Sequence, residues 1–564
     1  MTIAAATTAT PVRPLTDRHA HRTALSIGAL LFVMSVVLQT VLMKRVVAGY
    51  DEGLILYGAA RVAQGEVPYR DFWSMYGPGS FYVLAALFRA FGETVVVARG
   101  FDVASRAAIV VLVFALVAGL ARREGGANLG FIAALGALGL LIIAPGYEFP
   151  VYPALAFALL AVAFVRRAVE APTRWQAWFG AGAAAGMAAV FRHDLGAYAL
   201  GVCCYALVVS RRVDGAVPGF GRVHGAALAG GFALALGPPL VALLRAVPGA
   251  DLIDNLIRIP ALVYAPYRHL PLPSLPVALQ QAVEMQSATP LFALAYYAPI
   301  GITLVAAVLA LRVRRQRRSE VPPRPLTARQ IVFETLTLLT LLFCVKAGVR
   351  AGSMHVMPAL ILAVVPGALM VDRSGSRFLK ALSLAAVLAV VGVRIGLSAT
   401  ELEAPPGGGV GSAFARWAGC ERGPVARLRC FRIDADRAAV LAYLGRHAVP
   451  GVPIYIGTGR HDKLFVNNVE LYFLSGLPAA TKWHDLHPGV QTTREVQLEM
   501  LAEMRARPPQ FVVVNTEWDD FVEPNASAVS SGVTLLDAHL RDAFEPVFGS
   551  GTFSVWQPRA AGRR

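Results

Sequence analysis

Apolar residues in this chain come in long blocks separated by short polar joints. A helix crossing the hydrocarbon core of a bilayer needs about 20 predominantly apolar residues. Eleven blocks fit that requirement: 24–44, 98–120, 128–145, 150–166, 175–191, 194–210, 224–246, 290–311, 329–346, 355–371 and 379–398. The pattern predicts about eleven membrane-spanning helices. The third and fourth are short and joined by a tight turn, "PGYEFP", and the fifth and sixth nearly touch at "FRHDLG". Pro238-Pro239 predicts a kink in the seventh.

Between the first two blocks the pattern changes. Residues 45–97 form a loop too long for a simple connector, made of short, half-polar pieces. "GLILYGAARVAQG" predicts an amphipathic helix ended by Gly65. "PGSFYVLAALFRAFG" predicts another, with Pro78 near its start and Gly92 past its end. At about 21 Å the second is too short to span. Both are read as lying in the membrane interface plane, where they could roof a cavity open to lipid.

The pattern changes again near Glu401. "EAPPGGGVGS" is a Pro/Gly linker. After it come a helix ("DRAAVLAYLGRHA"), a strand ("VPIYIG"), two further helices ("VELYFLSG", "REVQLEMLAEMRARP") and two strands ("QFVVVN", "TFSVWQP"). This alternation predicts a small parallel-sheet α/β domain with a core of its own. The fold class is therefore a polytopic α-helical membrane protein with a C-terminal α/β domain. The predicted divisions are a tail over 1–23, a membrane domain over 24–398 and the α/β domain over 399–564.

Composition agrees with the block pattern. Of 564 residues, 56% are hydrophobic and 16% charged, against about a quarter charged in a soluble protein. The net charge of +16 sits mostly in short joints between apolar blocks, which excludes a nucleic-acid partner and reads as topology. The first block has no clear small-residue cleavage site and is read as a membrane anchor rather than a signal peptide. With the N-terminus cytoplasmic, the basic joints "ARREGG", "SRRVDG" and "LRVRRQRRSEVPPR" all fall inside; the last holds Arg312, Arg314, Arg315, Arg317 and Arg318. An odd helix count then puts the loop 45–97, the loop 247–289 and the whole C-terminal domain on the exterior, or periplasmic, face.

Candidate chemistry gathers on that exterior face. Asp51 and Glu52 follow a membrane exit. They suit either a solvated helix start, where acids complement the macrodipole, or a general base where lipid meets water. "FRHDLGAY" adds Arg192, His193 and Asp194, "VKAGVRAGSMHVMP" adds Lys346, Arg350 and His355, and "YAPYRHLPLP" adds Arg268 and His269. Singly, each suits a salt bridge or a headgroup anchor. Together, ionisable residues at one membrane edge point to a site for an anionic ligand such as a lipid-borne phosphate.

"YDEG" followed by "GEVPYRDFWSMYGPGSFYVLAALFRAFG" and "VARGFDVASR" resembles the first exterior loop of membrane glycosyltransferases of the C-type (GT-C) fold. These include protein O-mannosyltransferases, the lipid A aminoarabinose transferase and many bacterial relatives. The resemblance is specific over residues 50–106 and loose over the rest of 25–400. It implies transfer of a sugar from a polyprenyl-phosphate donor to an acceptor glycan, lipid or protein, with inversion. The family's first-loop base maps onto Asp51, with Glu52 as neighbour or substitute, and its second loop acid onto Asp71. Arg192, Lys346, Arg350 and His355 are assigned to the lipid phosphate from topology, and Asp194, Arg268 and His269 to the same substrate site. Tyr69, Trp73, Tyr76 and Tyr82 would stack on a sugar or line the lipid entrance, or else form an interfacial aromatic belt. Some relatives need a divalent metal and others do not. No His/Cys ligand set is visible, so no metal and no cofactor are expected.

In the tail, "GTGRHD" lacks the full glycine fingerprint of a nucleotide loop, and "KWHDLHPG" (His484, Asp485, His487) is read as a plain turn rather than a metal site. Cys203, Cys204 and Cys344 fall in apolar blocks, whereas Cys420 and Cys430 share the exterior domain and predict a disulfide. Two other functions fit the architecture: a transporter or flippase of lipid-linked glycans, which would place charges near the bilayer midplane, and a noncatalytic glycan-assembly component.

Overall fold

The computed structural model describes residues 15–43, 45–121, 126–144, 146–213, 220–272, 274, 276, 291–379, 381–382, 385 and 425–559. Ten of the eleven apolar blocks are helices. They are α1 (Leu15–Leu42), α4 (Val95–Leu120), α5 (Gly126–Ile143), α6 (Val151–Glu170), α7 (Trp175–Phe191), α8 (His193–Val213), α9 (Phe220–Leu244), α12 (Leu291–Ser319), α13 (Ala328–Val349) and α14 (Ser353–Ser374). Nine of these are long and apolar enough to cross a bilayer, and α7 falls just short at 17 residues. The eleventh block, 379–398, lies almost wholly outside the described residues, as do the Pro/Gly linker and Cys420.

Small residues set the closest contact in the bundle. A Cβ added at Gly182 of α7 would lie 2.0 Å from the Leu228 carbonyl of α9, and one at Gly231 would lie 2.0 Å from the Phe179 carbonyl. Such close backbone approach is how apolar helices gain packing where no water drives them together. The run Arg312–Arg318 is not a loop, as expected, but the last two turns of α12. Cations suit a helix C-terminus, and Arg314 is held there by Glu334 of α13 at 2.6 Å.

The two short helices of the first loop are α2 (Asp51–Ala63) and α3 (Gly79–Phe91), each followed by a glycine at positive φ, Gly65 (97°) and Gly92 (93°). The interface-plane reading fits α3 in part: Phe81, Leu84 and Phe88 are buried while Tyr82 and Phe91 are exposed. It fails for α2, which is buried on almost every face. A Cβ at Gly53 would meet the backbone nitrogen of Glu470 at 2.4 Å, so α2 lies under the C-terminal domain rather than against lipid. After α9 the predicted exterior loop carries α10 (Gly249–Ile253), a π-helical stretch (Asp254–Tyr264) and α11 (Ala265–Arg268).

The C-terminal region comprises α15 (Ala435–His447), β1 (Ile454–Thr458), α16 (Glu470–Ser475), α17 (Arg494–Ala506), β2 (Phe511–Asn515), α18 (Leu535–Ala543), β3 (Phe544–Ser550) and β4 (Phe553–Pro558). The sheet order is β1-β2-β4-β3. β1 and β2 are parallel, but β4 runs antiparallel to both its neighbours, so the sheet is mixed rather than parallel. β3 escaped the sequence pattern because "FEPVFGS" carries a proline and a glycine and is half exposed. It exists by pairing with β4 across a hairpin turn at Gly551 (φ 55°).

This region has one apolar cluster almost wholly its own, with Tyr455, Met500, Val512 and Leu536, to which the first loop adds Trp73, but it shares another. The shared cluster joins Ile55, Tyr57, Phe81 and Phe88 of the first loop to Tyr472, Phe473 and Val513. The Tyr57 and Tyr472 rings stack at 5.0 Å. A parallel bridge from Val46 to Arg432 ties the same two regions through the backbone. Cys430 is disulfide-bonded, while Cys203, Cys204 and Cys344 are free.

Candidate active site

Two helix breaks in the bundle share one local geometry. α7 ends at Phe191, Arg192 is extended (φ −144°, ψ 105°), and α8 starts at once. α13 ends at Val349, Arg350 is extended (φ −144°, ψ 102°), and α14 begins at Ser353. Both breaks open onto a cavity of about 730 Å³ between the bundle, the first loop and the C-terminal region. Asp51, at the first turn of α2, lines it together with Arg192, Asp194, Lys346, Arg350 and His355.

The charges there are unevenly matched. Arg192 donates to both oxygens of Asp194, at 3.1 and 2.8 Å, and Lys346 bonds the same carboxylate. Two cations thus share one anion, which leaves a unit of positive charge facing the cavity. Arg350 is engaged by Glu523 of the C-terminal region through paired hydrogen bonds of 3.0 and 2.6 Å. Among the described residues Asp51 accepts one side-chain hydrogen bond, from the Tyr147 hydroxyl to Oδ2 at 3.2 Å. Burial pushes its pKa above the usual carboxylate value, and the Tyr147 bond and the fields of Arg268 and Arg350 offset that only in part. A carboxylate so placed is more basic than one in water.

The family profile for dolichyl-phosphate-mannose-protein mannosyltransferase matches residues 76–229. ArnT from Cupriavidus metallidurans bound to undecaprenyl phosphate superposes with a TM-score of 0.53 at 13% identity, over 96% of this chain and 98% of that one. Its apo state gives 0.52 at the same identity and the same shares. The Archaeoglobus fulgidus oligosaccharyltransferase in complex with zinc and sulfate gives 0.49 at 10% identity, over 91% of this chain and 71% of that one. No curated protein matches by sequence. This chain has the GT-C fold.

Within the GT-C bundle, not every residue singled out from sequence reaches the cavity. Tyr76 and Arg268 do. Glu52 does not: it is 1% exposed and points away, with Arg99 donating to both its oxygens at 2.7 and 2.8 Å. Asp71 is held by Arg70 and by the Val67 amide at the loop surface. Tyr69, strained at φ 70°, is buried and donates its hydroxyl to the Tyr76 carbonyl at 2.6 Å, so it shapes the turn that delivers Tyr76. His269 turns outward to the Val349 carbonyl, beside a separate open apolar pocket of about 480 Å³. Trp73 packs on Trp483, and Tyr82 is exposed.

The C-terminal region contributes residues that the sequence reading passed over. Asp485 and His487 line the cavity, as do Tyr50, Tyr264 and Phe465. "KWHDLHPG" is no plain turn: His484, Asp485 and His487 are all buried, and of its ionisable residues Lys482 alone is half-exposed. Burial lifts Asp485 to about 7, opposed by the Tyr50 hydrogen bond and by Arg268. It also holds His484 and His487 below the usual imidazole range, with Arg61 and Arg268 respectively adding to the effect. The available signal was the density of ionisable residues inside a stretch otherwise as apolar as a core. "GTGRHD" proves structural, with His461 Nδ1 on Asp537 at 2.7 Å and Nε2 against the Tyr455 hydroxyl at 2.6 Å. Among the described residues, no group of three or more His, Cys, Asp or Glu is placed to hold a metal ion.

Proposed function

We propose that this protein is an integral-membrane glycosyltransferase that moves a sugar from a polyprenyl-phosphate donor to an acceptor hydroxyl at the exterior membrane face, with inversion and with Asp51 as general base. The observation that carries this reading is the single cavity that holds Asp51 together with the Arg192–Asp194–Lys346 cluster. The donor class draws support from the family profile, whose description names dolichyl-phosphate-mannose, and from ArnT, whose structure holds undecaprenyl phosphate.

In this mechanism Asp51 Oδ1 takes the proton from the acceptor hydroxyl as its oxygen attacks the anomeric carbon from the face opposite the phosphate. The bond between that carbon and the phosphate oxygen breaks, and its electron pair stays on the phosphate. The growing negative charge is met by the surplus cation of the Arg192–Lys346 pair. Arg350 can join once the phosphate competes with Glu523, and His355 lies alongside. A phosphate is already a good leaving group, so no strong general acid is required.

The side of the membrane is read from charge. α13 has 22 residues, about 33 Å of helix, with Lys346 in its last turn and the basic end of α12 across from its first. The cavity and the arginine run therefore lie at opposite ends of the bundle. By the positive-inside bias the cavity end is the exterior one, and the C-terminal region over it is exterior too.

The test is to profile polyprenyl-phosphate sugars and surface glycans in cells with and without the gene. One lipid-linked sugar should accumulate in its absence and clear on complementation with the wild type but not with Asp51→Asn. Unchanged profiles, or full rescue by that variant, would remove the assignment.

A further inference from the structure

The wall that the C-terminal region gives to the cavity carries a second carboxylate with spare capacity. Asp485 is 2% exposed and lines the cavity. Its Oδ1 accepts from the Tyr50 hydroxyl at 2.7 Å, and among the described residues no other group donates to it, so Oδ2 is unfilled. Asp51, one residue after Tyr50, repeats the arrangement: Tyr147 holds Oδ2, and among the described residues no group donates to Oδ1. Two carboxylates, each anchored by a tyrosine and each with an oxygen to spare, thus face one space.

The rest of that wall is built to stay in place. Arg268 donates to the Phe465 carbonyl at 2.6 Å and to His487 Nε2 at 3.4 Å. His487 Nδ1 donates in turn to the Pro488 carbonyl at 2.8 Å, and the Tyr264 ring stacks on the imidazole at 5.8 Å. A carboxylate oxygen that lines a cavity and takes no hydrogen bond from the protein is open to a ligand hydroxyl. Carboxylate acceptors beside aromatic faces suit a sugar ring, which offers hydroxyl donors along its edge and C–H groups on its face. They do not suit a phosphate, which two carboxylates repel, nor a lipid tail, which gains nothing from them.

We propose that Asp485 is a sugar-binding residue, its free carboxylate oxygen accepting a hydrogen bond from a ring hydroxyl of a sugar held in the cavity next to Asp51. This rests on the glycosyltransferase reading above. The ring belongs to the acceptor or to the lipid-linked donor, which offer the same hydroxyls, and the two sources are separable.

The experiment uses the full chain in lipid nanodiscs with three probes: undecaprenyl phosphate, undecaprenyl phosphate carrying a hexose or a pentose, and a panel of methyl glycosides titrated with undecaprenyl phosphate present. Measured above pH 7, where the Asp485 carboxyl is ionised, Asp485→Asn should keep the affinity for bare undecaprenyl phosphate within about twofold and lower sugar binding roughly ten- to a hundredfold, the worth of one hydrogen bond to a charged group. If the ring is the donor's, the loss falls on the sugar-bearing lipid; if it is the acceptor's, the loss falls on the methyl glycosides. Asp485→Glu, which moves the oxygens by one methylene, should give the same pattern at smaller size and serves if the asparagine variant fails to fold. Sugar binding unchanged in the variants overturns the proposal, and so does a wild-type protein that distinguishes neither sugar-bearing lipid from bare lipid nor glycoside from buffer. A wild-type protein that ignores undecaprenyl phosphate altogether would instead sink the glycosyltransferase reading, whatever the sugar arms show.

Discussion

Two clusters of buried charge flank the first turn of α2, and the chain sends neighbouring residues, Asp51 and Glu52, one into each. On the Glu52 side each charge of the ladder has an opposite charge in contact, although Asp102 Oδ1 takes no hydrogen bond among the described residues. Glu52 takes two hydrogen bonds from Arg99 and one from the Ala48 amide at 2.9 Å. Arg99 lies over the Phe431 ring at 4.6 Å. One turn further along α4, Asp102 and Arg106 pair at 2.7 Å, with Arg106 over Tyr152 at 3.9 Å. This ladder fixes α2 and the C-terminal region to α4. On the Asp51 side, two cations share one anion, and Asp51 and Asp485 each have an oxygen that no group among the described residues bonds, here lining a cavity with room for a ligand. Both clusters are ionic and buried, so burial and charge alone do not mark a site. Unfilled valence next to open space does.

The sharpest way to break that comparison is Asp51→Asn. Losing a general base should cut transfer by about 10²- to 10⁴-fold, with expression and thermal stability kept; a variant that unfolds would make Asp51 another ladder residue. Next comes Arg99→Ala, which strands Glu52 as an unpaired buried charge. It should cost about 3–5 kcal/mol of stability, read as lost thermal stability in detergent, while the folded fraction retains its rate per molecule. Lys346→Ala should act on the other side only, weakening undecaprenyl phosphate binding roughly ten- to a hundredfold with little change in stability, because Asp194 keeps Arg192. Smallest is Tyr147→Phe. A rate that needs ionised Asp51 rises with pH through its pKa. Tyr147 lowers that pKa against the larger upward push of burial, so removing the hydroxyl should move the acidic limb of the pH–rate profile to higher pH. A shift to lower pH would contradict the assignment.

Much of this was legible because membrane proteins advertise costs. Ten helices followed from block length, since backbone groups in lipid must be satisfied within the helix itself. Arg192, Asp194, Lys346, Arg350 and His355 stood out because charge at a membrane edge is expensive, and the structure gathers them in one cavity. What stayed hidden depends on contacts between distant segments. Nothing local separates Asp51 from Glu52; the side chain of Arg99, a whole helix away, decides it. α2 looks like an interface helix until the residues from Val469 onward are laid on it. "KWHDLHPG" carries ordinary turn chemistry, and only the first loop and Arg268, packed against it, make Asp485 and His487 a wall. β3 needed its partner β4 to exist at all.

The most direct test is a cryo-electron microscopy structure of the full chain in nanodiscs with undecaprenyl phosphate. The account predicts the phosphate within hydrogen-bonding distance of Lys346 and Arg192, with the Asp51 carboxylate facing it across space enough for a sugar. A phosphate bound elsewhere, or an Asp51 side chain turned into the Arg99 ladder when the lipid is present, would contradict it.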